Sequence, residues 1–158
     1  MRVLLAGLFG ISLLVTSCLK KDSGCGYSSD TAVAPASEQQ VLKNYIDSAA
    51  ITASYDSRGF YYRVVSLGAG NVPGPCSQIT VAYSGRLTSG LVFDTQSNSV
   101  FASLGSLIDG WREGIPLIRK GGRIQLYIPP TLGYGAMGDG TIPGNSILIF
   151  DISLLDVQ

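Results

Sequence analysis

The chain has 158 residues, enough for one ordinary domain, and its 11 basic and 11 acidic side chains give a formal net charge of zero. Because no excess of positive charge is available to contact phosphates, this balance argues against a nucleic-acid partner. The sequence contains no histidine, which excludes a Ser-His-Asp triad. It also has no CxxC spacing, so a metal would depend on scattered carboxylates, and we expect neither a metal site nor a cofactor.

The first 17 residues are typical of an export signal. Arg2 precedes an apolar run over residues 3–15, which is too short for a membrane span of about 20 residues but suits a signal-peptide core. The run ends in VTSC (residues 15–18), which resembles the lipobox of bacterial lipoproteins. This resemblance implies cleavage before Cys18 and a lipid on its thiol. The alternative is an ordinary secretory signal followed by an incidental cysteine.

A lipid on Cys18 would anchor the protein to a membrane of the bacterial cell envelope. The residue after it is Leu19, not the aspartate that favours retention in the inner membrane of enteric bacteria. We therefore expect the outer membrane.

Three cysteines are an odd number for an exported protein. If Cys18 carries lipid, Cys25 and Cys76 remain as one pair in an oxidising compartment. A bridge between them would close a loop of about 50 residues, worth on the order of 4 kcal/mol in the chain-entropy model. The alternative is two unpaired thiols.

Residues 18–36 have the polar and small-residue composition of a linker. In the next segment, residues 37–58, Ser37 and Gln40 form a capping-box pattern, and apolar residues then recur at helical spacing up to Ala50. This pattern predicts an amphipathic accessory helix of about 14 residues, ahead of a domain over residues 59–158.

That domain alternates between β-rich runs and turn-rich segments. Strands are predicted at residues 60–65, 80–87, 91–94, 123–128 and 147–155, and a further short strand begins at residues 100–101. The sum is a strand-rich α+β fold with one central helix.

The central helix follows residue 108. Asp109 is predicted to be its N-cap, and Trp111, Ile115 and Ile118 fall on one face of three turns. Glycines at residues 121–122 are predicted to end it.

Two motifs that carry chemistry elsewhere fail on context. GYGAMG (residues 133–138) matches the dinucleotide fingerprint, but two prolines precede it and no helix is predicted after it to face a pyrophosphate. Asp94, Asp109 and Glu113 could converge as glycosidase carboxylates, yet Asp109 is explained as a helix cap and Glu113 as a first-turn acid. We therefore favour neither function.

Four ordered blocks carry a resemblance to a known family. They are VAYSGRLTSGLVFD (81–94), LGSLIDGWREGIPLIRKGGR (104–123), YIPPTLGYGAMG (127–138) and IPGNSILIFDISLLDV (142–157). With this order and spacing the sequence resembles FKBP-type peptidyl-prolyl cis-trans isomerases, also called rotamases, particularly the single-domain lipoprotein forms of Bacteroidetes-like bacteria. The resemblance implies an FKBP-like antiparallel sheet curled around a short central helix.

The resemblance also implies a proline pocket. Its catalytic positions correspond to Tyr83, Phe93, Asp94, Ile108, Trp111, Tyr134 and Phe150, and its substrate-binding positions to Phe101, Leu107 and Ile142. Trp111 would form the floor, while the Ile108 N–H and the Tyr134 hydroxyl would hold the carbonyls beside the proline. Asp94 would order the pocket through a hydrogen bond to Tyr83 or contact the twisted carbonyl. On periodicity alone, these aromatic side chains would be plain core.

By this resemblance the protein is a peptidyl-prolyl isomerase that assists the folding of exported proteins. Its substrates would be proline-containing polypeptides, and rapamycin-like macrolides are expected ligands. One departure stands out: the family has Ile-Pro-Pro where this chain has Ile142-Pro143-Gly144, after a segment that looks one residue short. This keeps open a chaperone or scaffold module that binds proline peptides with little turnover, and also a purely structural envelope component.

Overall fold

The computed structural model describes Tyr27 and residues 32–158. Within them the helices and strands follow in this order: α1 (Ala36–Ser48), β1 (Ser54–Tyr55), β2 (Tyr61–Ser66), β3 (Ile79–Leu87), β4 (Val92–Phe101), α2 (Asp109–Gly114), β5 (Arg123–Ile128) and β6 (Leu148–Val157). Single 3₁₀ turns lie at Leu104–Ser106, Ile115–Leu117 and Pro130–Leu132.

The six strands form one antiparallel sheet in the order β1-β2-β5-β6-β3-β4. The longest pairing joins β3 to β6, from Leu87 opposite Leu148 to Ile79 opposite Val157. Chain neighbours β2 and β3 are separated by the two strands of the C-terminal half, so the sheet forms only when both halves of the domain come together. The predicted α+β class and antiparallel sheet are confirmed.

The main core lies between one face of this sheet and α2. Alternate side chains of β5, namely Ile124, Leu126 and Ile128, are fully buried on that face, as alternation along a strand requires. Two glycines let the helix approach the sheet: a Cβ at Gly110 would lie 2.5 Å from the Ile128 side chain, and one at Gly114 would lie 2.5 Å from Leu126. This close contact sets the depth at which α2 presents its other side chains.

The predicted central helix is correct in position but wrong in length and cap. α2 has six residues and continues as a 3₁₀ turn, because Pro116 lacks the N–H that an α-helix needs. Ile108 occupies the N-cap position, and Asp109 is the first helical residue, paired with Arg112 at 2.8 Å. The predicted apolar face is confirmed, since Trp111 and its partners on that face are buried.

The accessory helix α1 packs on the opposite face of the sheet. Its buried residues Leu42 and Ile46 form a second apolar cluster with Tyr127 and Ile149. The predicted capping box is wrong: the N-cap is Pro35, two residues before Ser37, and it makes no side-chain cap hydrogen bond. Proline suits this end of a helix because its missing N–H would have had no partner there.

The predicted strands are present with small shifts, and one prediction changes in kind. The segments predicted at 91–94 and 100–101 belong to one ten-residue strand, β4, which pairs with β3 along its length. The two-residue strand β1 was not predicted, because two residues carry no periodic signal.

The predicted signal segment, the lipid site Cys18 and Cys25 lie outside the described residues. Cys76 is disulfide-bonded, and its partner also lies outside them. None of the helices among the described residues has the length and hydropathy needed to cross a membrane.

Candidate functional site

A cavity of about 420 Å³ opens between α2, the inner face of the sheet and the loop that precedes β6. Thirteen residues line it: Tyr83, Phe93, Asp94, Phe101, Leu107, Ile108, Trp111, Tyr134, Asp139, Gly140, Thr141, Ile142 and Phe150. All ten residues that the sequence singled out as site residues are among them. They come from five separate segments of the chain, so the fold brings them together.

Aromatic rings build the floor and walls of the cavity at right angles to one another. The Trp111 ring meets Tyr83 at 5.0 Å and 85°, Phe150 at 5.1 Å and 85°, and Phe101 at 5.8 Å and 83° between ring centroids and planes. Phe93 meets Phe150 at 5.5 Å and 84°. Edge-to-face pairs of this kind add about 0.5–1.5 kcal/mol each beyond their burial, so the walls hold a defined shape.

Five rings form this aromatic box (Tyr83, Phe93, Phe101, Trp111 and Phe150), and only some of them are buried. Trp111 and Phe150 are 4% and 3% exposed, whereas Tyr83, Phe93 and Phe101 are half-buried. These three rings therefore present part of their surface to the open cavity. The interpretation of these residues as plain core does not account for that opening.

A bulge in β4 allows two successive side chains to face the cavity. Side chains along a strand normally alternate between the two faces of the sheet, yet Phe93 and Asp94 both line the cavity. In the pairing with β3, Gly85 lies opposite Asp94 and Arg86 opposite Val92, so Phe93 is the extra residue. A bulge of this type bends the strand and redirects a side chain.

Asp94 is held by the neighbouring strand. The Tyr83 hydroxyl donates a hydrogen bond to Asp94 Oδ2, which fixes the carboxylate at the cavity wall. Burial, together with this hydrogen bond and the Asp94 charge, raises the pKa of Tyr83 well above its ordinary value. The tyrosine therefore keeps its proton and remains the donor at neutral pH.

The Ile108 N–H and the Tyr134 hydroxyl are donors at the cavity that have no partner among the described residues, and so is the buried Nε1–H of Trp111. The Ile108 carbonyl accepts hydrogen bonds from the N–H groups of Trp111 and Arg112, at 2.9 and 3.1 Å, but the Ile108 N–H donates none. The Tyr134 hydroxyl also has no hydrogen-bond partner there. Burial and the nearby charges of Asp139 and Asp94 raise the pKa of Tyr134, which keeps its hydroxyl protonated.

The loop before β6 closes the cavity on one side. Asp139 and Ile142 exchange backbone hydrogen bonds of 3.0 and 2.8 Å, which form a tight turn and place Ile142 against the cavity. A Cβ at Gly144 would lie 1.9 Å from the Ala136 carbonyl oxygen. The backbones of the two arms of the loop nearly touch here, so this conformation excludes any side chain at residue 144, a proline included.

Sequence reasoning missed Asp139, Gly140 and Thr141 as lining residues. It identified their segment only as a shortened loop, and the signal available was their position directly before Ile142. The glycine motif at 133–138 belongs to this loop. In the described stretch between the motif and β6 there is no α-helix, so the motif lacks the helix N-terminus that would face the pyrophosphate of a dinucleotide.

The acids considered for glycoside hydrolysis do not share the cavity. Asp94 lines it, whereas Asp109 pairs with Arg112 and Glu113 pairs with Arg58 at 2.9 Å, outside the lining. Within the described ranges, no three acidic or cysteine side chains cluster as a metal site would require.

Comparisons with known proteins bear on this site. Residues 70–155 match the family described as FKBP-type peptidyl-prolyl cis-trans isomerase. The chain is 44% identical over 105 residues to the FKBP-type peptidyl-prolyl cis-trans isomerase FkpA of Escherichia coli strain K12, covering 65% of this chain and 39% of that protein. A probable FKBP-type isomerase of Haemophilus influenzae is 44% identical over 104 residues, covering 63% of this chain and 43% of that protein.

Solved structures agree. The crystal structure of FkpA from E. coli superposes with a TM-score of 0.71 at 39% identity, covering 78% of this chain and 60% of that one. A peptidyl-prolyl cis-trans isomerase of Pseudomonas syringae pv. tomato superposes with a TM-score of 0.68 at 26% identity, covering 82% and 99%. The chain spans about two fifths of the length of the curated relatives it matches. It belongs to the FKBP-type peptidyl-prolyl cis-trans isomerase family.

Proposed function

We propose that this chain catalyses cis-trans isomerisation of X–Pro peptide bonds, and that its substrates are proline-containing segments of exported proteins in the course of folding. The observation that carries the proposal is the right-angled box of aromatic rings around Trp111, open to solvent and bordered by two donors without partners. The apolar floor formed by Trp111 and its aromatic neighbours suits an uncharged ring such as that of proline. The family membership and the matching folds of the relatives support the same activity.

The chemistry requires a site that binds a twisted amide better than a planar one. Rotation about the X–Pro bond breaks amide resonance across a barrier of about 20 kcal/mol, and the uncatalysed change takes tens to hundreds of seconds. In the twisted state the carbonyl resembles a ketone and its oxygen carries less charge. A dry aromatic cavity therefore favours the twisted state over the polar planar one, and each 1.4 kcal/mol of that preference increases the rate about tenfold.

The cavity residues divide this work. Trp111 and its aromatic neighbours hold the proline ring and exclude water, while the Ile108 N–H and the Tyr134 hydroxyl donate hydrogen bonds to the flanking carbonyls and prevent them from turning. Tyr83 and Asp94 lock the wall, which favours the ordering role of Asp94 over direct contact with the carbonyl. The reaction transfers no proton and neither forms nor breaks a covalent bond, so a chain without histidine can perform it.

Isomerisation and simple binding are distinguished by measuring both on one sample. The full chain, purified in mild detergent, is assayed for cis-to-trans relaxation of an Ala-Leu-Pro-Phe peptide, and binding is followed by the fluorescence of Trp111, the single tryptophan of the sequence. Acceleration over the thermal rate at micromolar enzyme supports the proposal. Binding without acceleration would instead establish a chaperone or scaffold module, and neither response would leave a structural envelope component.

Rapamycin-like macrolides should compete for the same cavity, because a large ring compound can seat a proline-like ring against Trp111. The expected result is a saturable change in Trp111 fluorescence and loss of isomerase activity at the same macrolide concentration. Loss of activity without a fluorescence change would place the macrolide elsewhere.

The proposal includes an anchor: cleavage before Cys18, lipid on its thiol, and attachment to the outer membrane. Its support is the VTSC sequence after a short apolar run, with Leu19 at the next position. Incorporation of an alkyne-tagged fatty acid in a bacterial host should label the protein and should vanish in Cys18→Ser, and membrane fractionation identifies the membrane. Labelling that survives Cys18→Ser would refute the assignment.

We also propose Cys25 as the disulfide partner of Cys76. The Tyr27 ring packs against Gly105, where an added Cβ would lie 2.5 Å away, and the Gly105 N–H donates to the Pro75 carbonyl at 2.7 Å. Tyr27 therefore lies beside the segment that contains Cys76, and it is two positions from Cys25 in the sequence. Peptide mapping without reductant should recover a linked pair in Cys18→Ser and lose it in Cys25→Ser. The opposite pattern would assign the bridge to Cys18.

A further inference from the structure

The rim of the cavity carries uncompensated negative charge. Among the thirteen lining residues, two are acids, Asp94 and Asp139, and none is lysine or arginine. The nearest charged side chains of α2, Asp109 and Arg112, pair with each other at 2.8 Å. They therefore add little net charge of their own to the rim.

The two acids differ in their availability. Asp94 accepts the hydrogen bond from Tyr83, whereas the Asp139 carboxylate forms no hydrogen bond or ion pair among the described residues. Asp139 is exposed at the tip of the tight turn that ends at Ile142. Both carboxylates act on Tyr134, whose pKa is raised first by burial and then by these two charges. Asp94, Asp139 and Tyr134 line the same cavity, so both charges act on this side of it.

The apolar floor and the acidic rim select for different parts of a substrate. The aromatic box takes the proline ring, which is uncharged, so the rim charges can act only on the side chains next to the proline. A lysine or arginine there gains an attraction, and an aspartate or glutamate meets repulsion. Because Asp139 is exposed, each such effect is modest, about two- to fivefold in rate or affinity.

We propose that Asp139 is a specificity-determining residue that makes this site prefer proline segments with a basic side chain adjacent to the proline over segments with an acidic one. The inference rests on the proposed function, because it concerns the same cavity. It concerns substrate choice, not the rotation itself, so it is tested separately from activity.

The experiment uses the full chain and two peptide series, one varying the residue before the proline and one the residue after it, each with Lys, Gln and Glu. The expected lysine-to-glutamate ratio of kcat/KM is about fourfold or more in at least one series, since attraction and repulsion both contribute. Asp139→Asn should reduce that ratio about threefold, and the readout is the ratio itself, not the absolute turnover of any one peptide. Asp139→Glu, which keeps the charge, should retain the ratio.

A matched control removes one negative charge far from the cavity. Asp47→Asn changes an exposed acid on α1 that pairs with Lys43 at 2.6 Å, and it should leave the ratio unchanged. Raising the salt from 0.1 to 1 M shortens the Debye length from about 10 to about 3 Å and should flatten the preference in the native chain.

The outcomes separate the two claims. A ratio near one in both series, or a ratio that Asp139→Asn does not change, overturns the inference while turnover of the glutamine peptide still supports isomerase activity. If no peptide is turned over, the proposed function fails. The same lysine-to-glutamate ratio, measured as Kd by Trp111 fluorescence, then decides the inference for a binding site.

Discussion

The Tyr83 hydroxyl donates a hydrogen bond to the Asp94 carboxylate, and this bond ties β3 to β4 at the wall of the aromatic cavity. The bulge at Phe93 turns Asp94 toward the cavity, and Tyr83 holds it there. The two side chains therefore keep the box rigid before any substrate arrives, which is what a site that must favour a twisted amide requires.

Weakening this bond should lower activity more than stability. Asp94→Asn keeps the shape but replaces a charge-assisted hydrogen bond, worth about 1.5–3 kcal/mol, with a neutral one of about 1 kcal/mol. We expect kcat/KM for a proline peptide to fall about tenfold, with a small change in Tm. Tyr83→Phe, which removes the donor, should give a similar loss. Full activity in both folded variants would show that the ordering is not needed.

Phe93 is expected to act through the wall it forms. Phe93→Ala opens the box on one side, and because Phe93 is half-buried the loss of stability should stay below the 3–5 kcal/mol of a buried phenylalanine. The value of kcat/KM should fall at least about tenfold, which corresponds to a loss of about 1.4 kcal/mol in transition-state binding. Val92→Ala is the matched control, since Val92 precedes it on β4 and is 52% exposed. Equal losses in the two variants would contradict the assignment.

Substitution of Gly144 in the loop is expected to lower stability and activity, even when proline is introduced there. Gly144→Pro restores the family residue but adds a Cβ that would lie 1.9 Å from the Ala136 carbonyl oxygen, so the backbone must move and Ile142 with it. We expect a lower Tm and reduced isomerase activity, and the same direction for Gly144→Ala. Gly74→Ala is the control, because an added Cβ there meets nothing within 4 Å. A more active Gly144→Pro variant would show that the two arms of the loop are not in contact.

The accessory helix is expected to stabilise the domain directly. Leu42 is fully buried against Tyr127 and Ile149, so Leu42→Ala should lower the free energy of unfolding by about 2–5 kcal/mol. Val41, the preceding residue, is 59% exposed, and Val41→Ala should change stability by less than about 0.5 kcal/mol. Chemical denaturation measures both. Equal, small effects would mean that α1 does not pack on the sheet in solution.

α1 also reaches the loop that carries Tyr134. The Glu38 carboxylate accepts hydrogen bonds from the backbone N–H and the hydroxyl of Thr131, at 2.9 and 2.8 Å. The helix was predicted from its periodicity, but this contact was not, because Glu38 and Thr131 are 93 positions apart and no sequence signal links them. Local patterns identify elements and do not identify which elements meet.

The same limit explains the other differences between expectation and structure. The strands and the buried face of α2 were predicted because hydrophobic periodicity is a local signal. The site residues were predicted from the family blocks, since periodicity alone would have made Trp111 and Phe150 plain core. The bulge at Phe93 and the contact between Gly144 and Ala136 arise where two backbone segments meet across a turn, and periodicity within one segment does not report such contacts.

The pH dependence should distinguish a site that orders amides from one that moves protons. Burial and the nearby carboxylates raise the pKa values of Tyr83 and Tyr134 above the ordinary value of about 10, so both keep their protons throughout the neutral range. We expect kcat/KM to be flat between pH 6.5 and 9. Because the folded-state pKa values lie above the unfolded ones, the stability that these groups contribute is fully present below about pH 10 and is lost as the pH rises beyond it. Thermal unfolding from pH 8 to 11 measures that loss of stability, which should be smaller in Tyr83→Phe. A kcat/KM that rises or falls with a midpoint near pH 7 would instead indicate a proton transfer, which the proposed mechanism does not include.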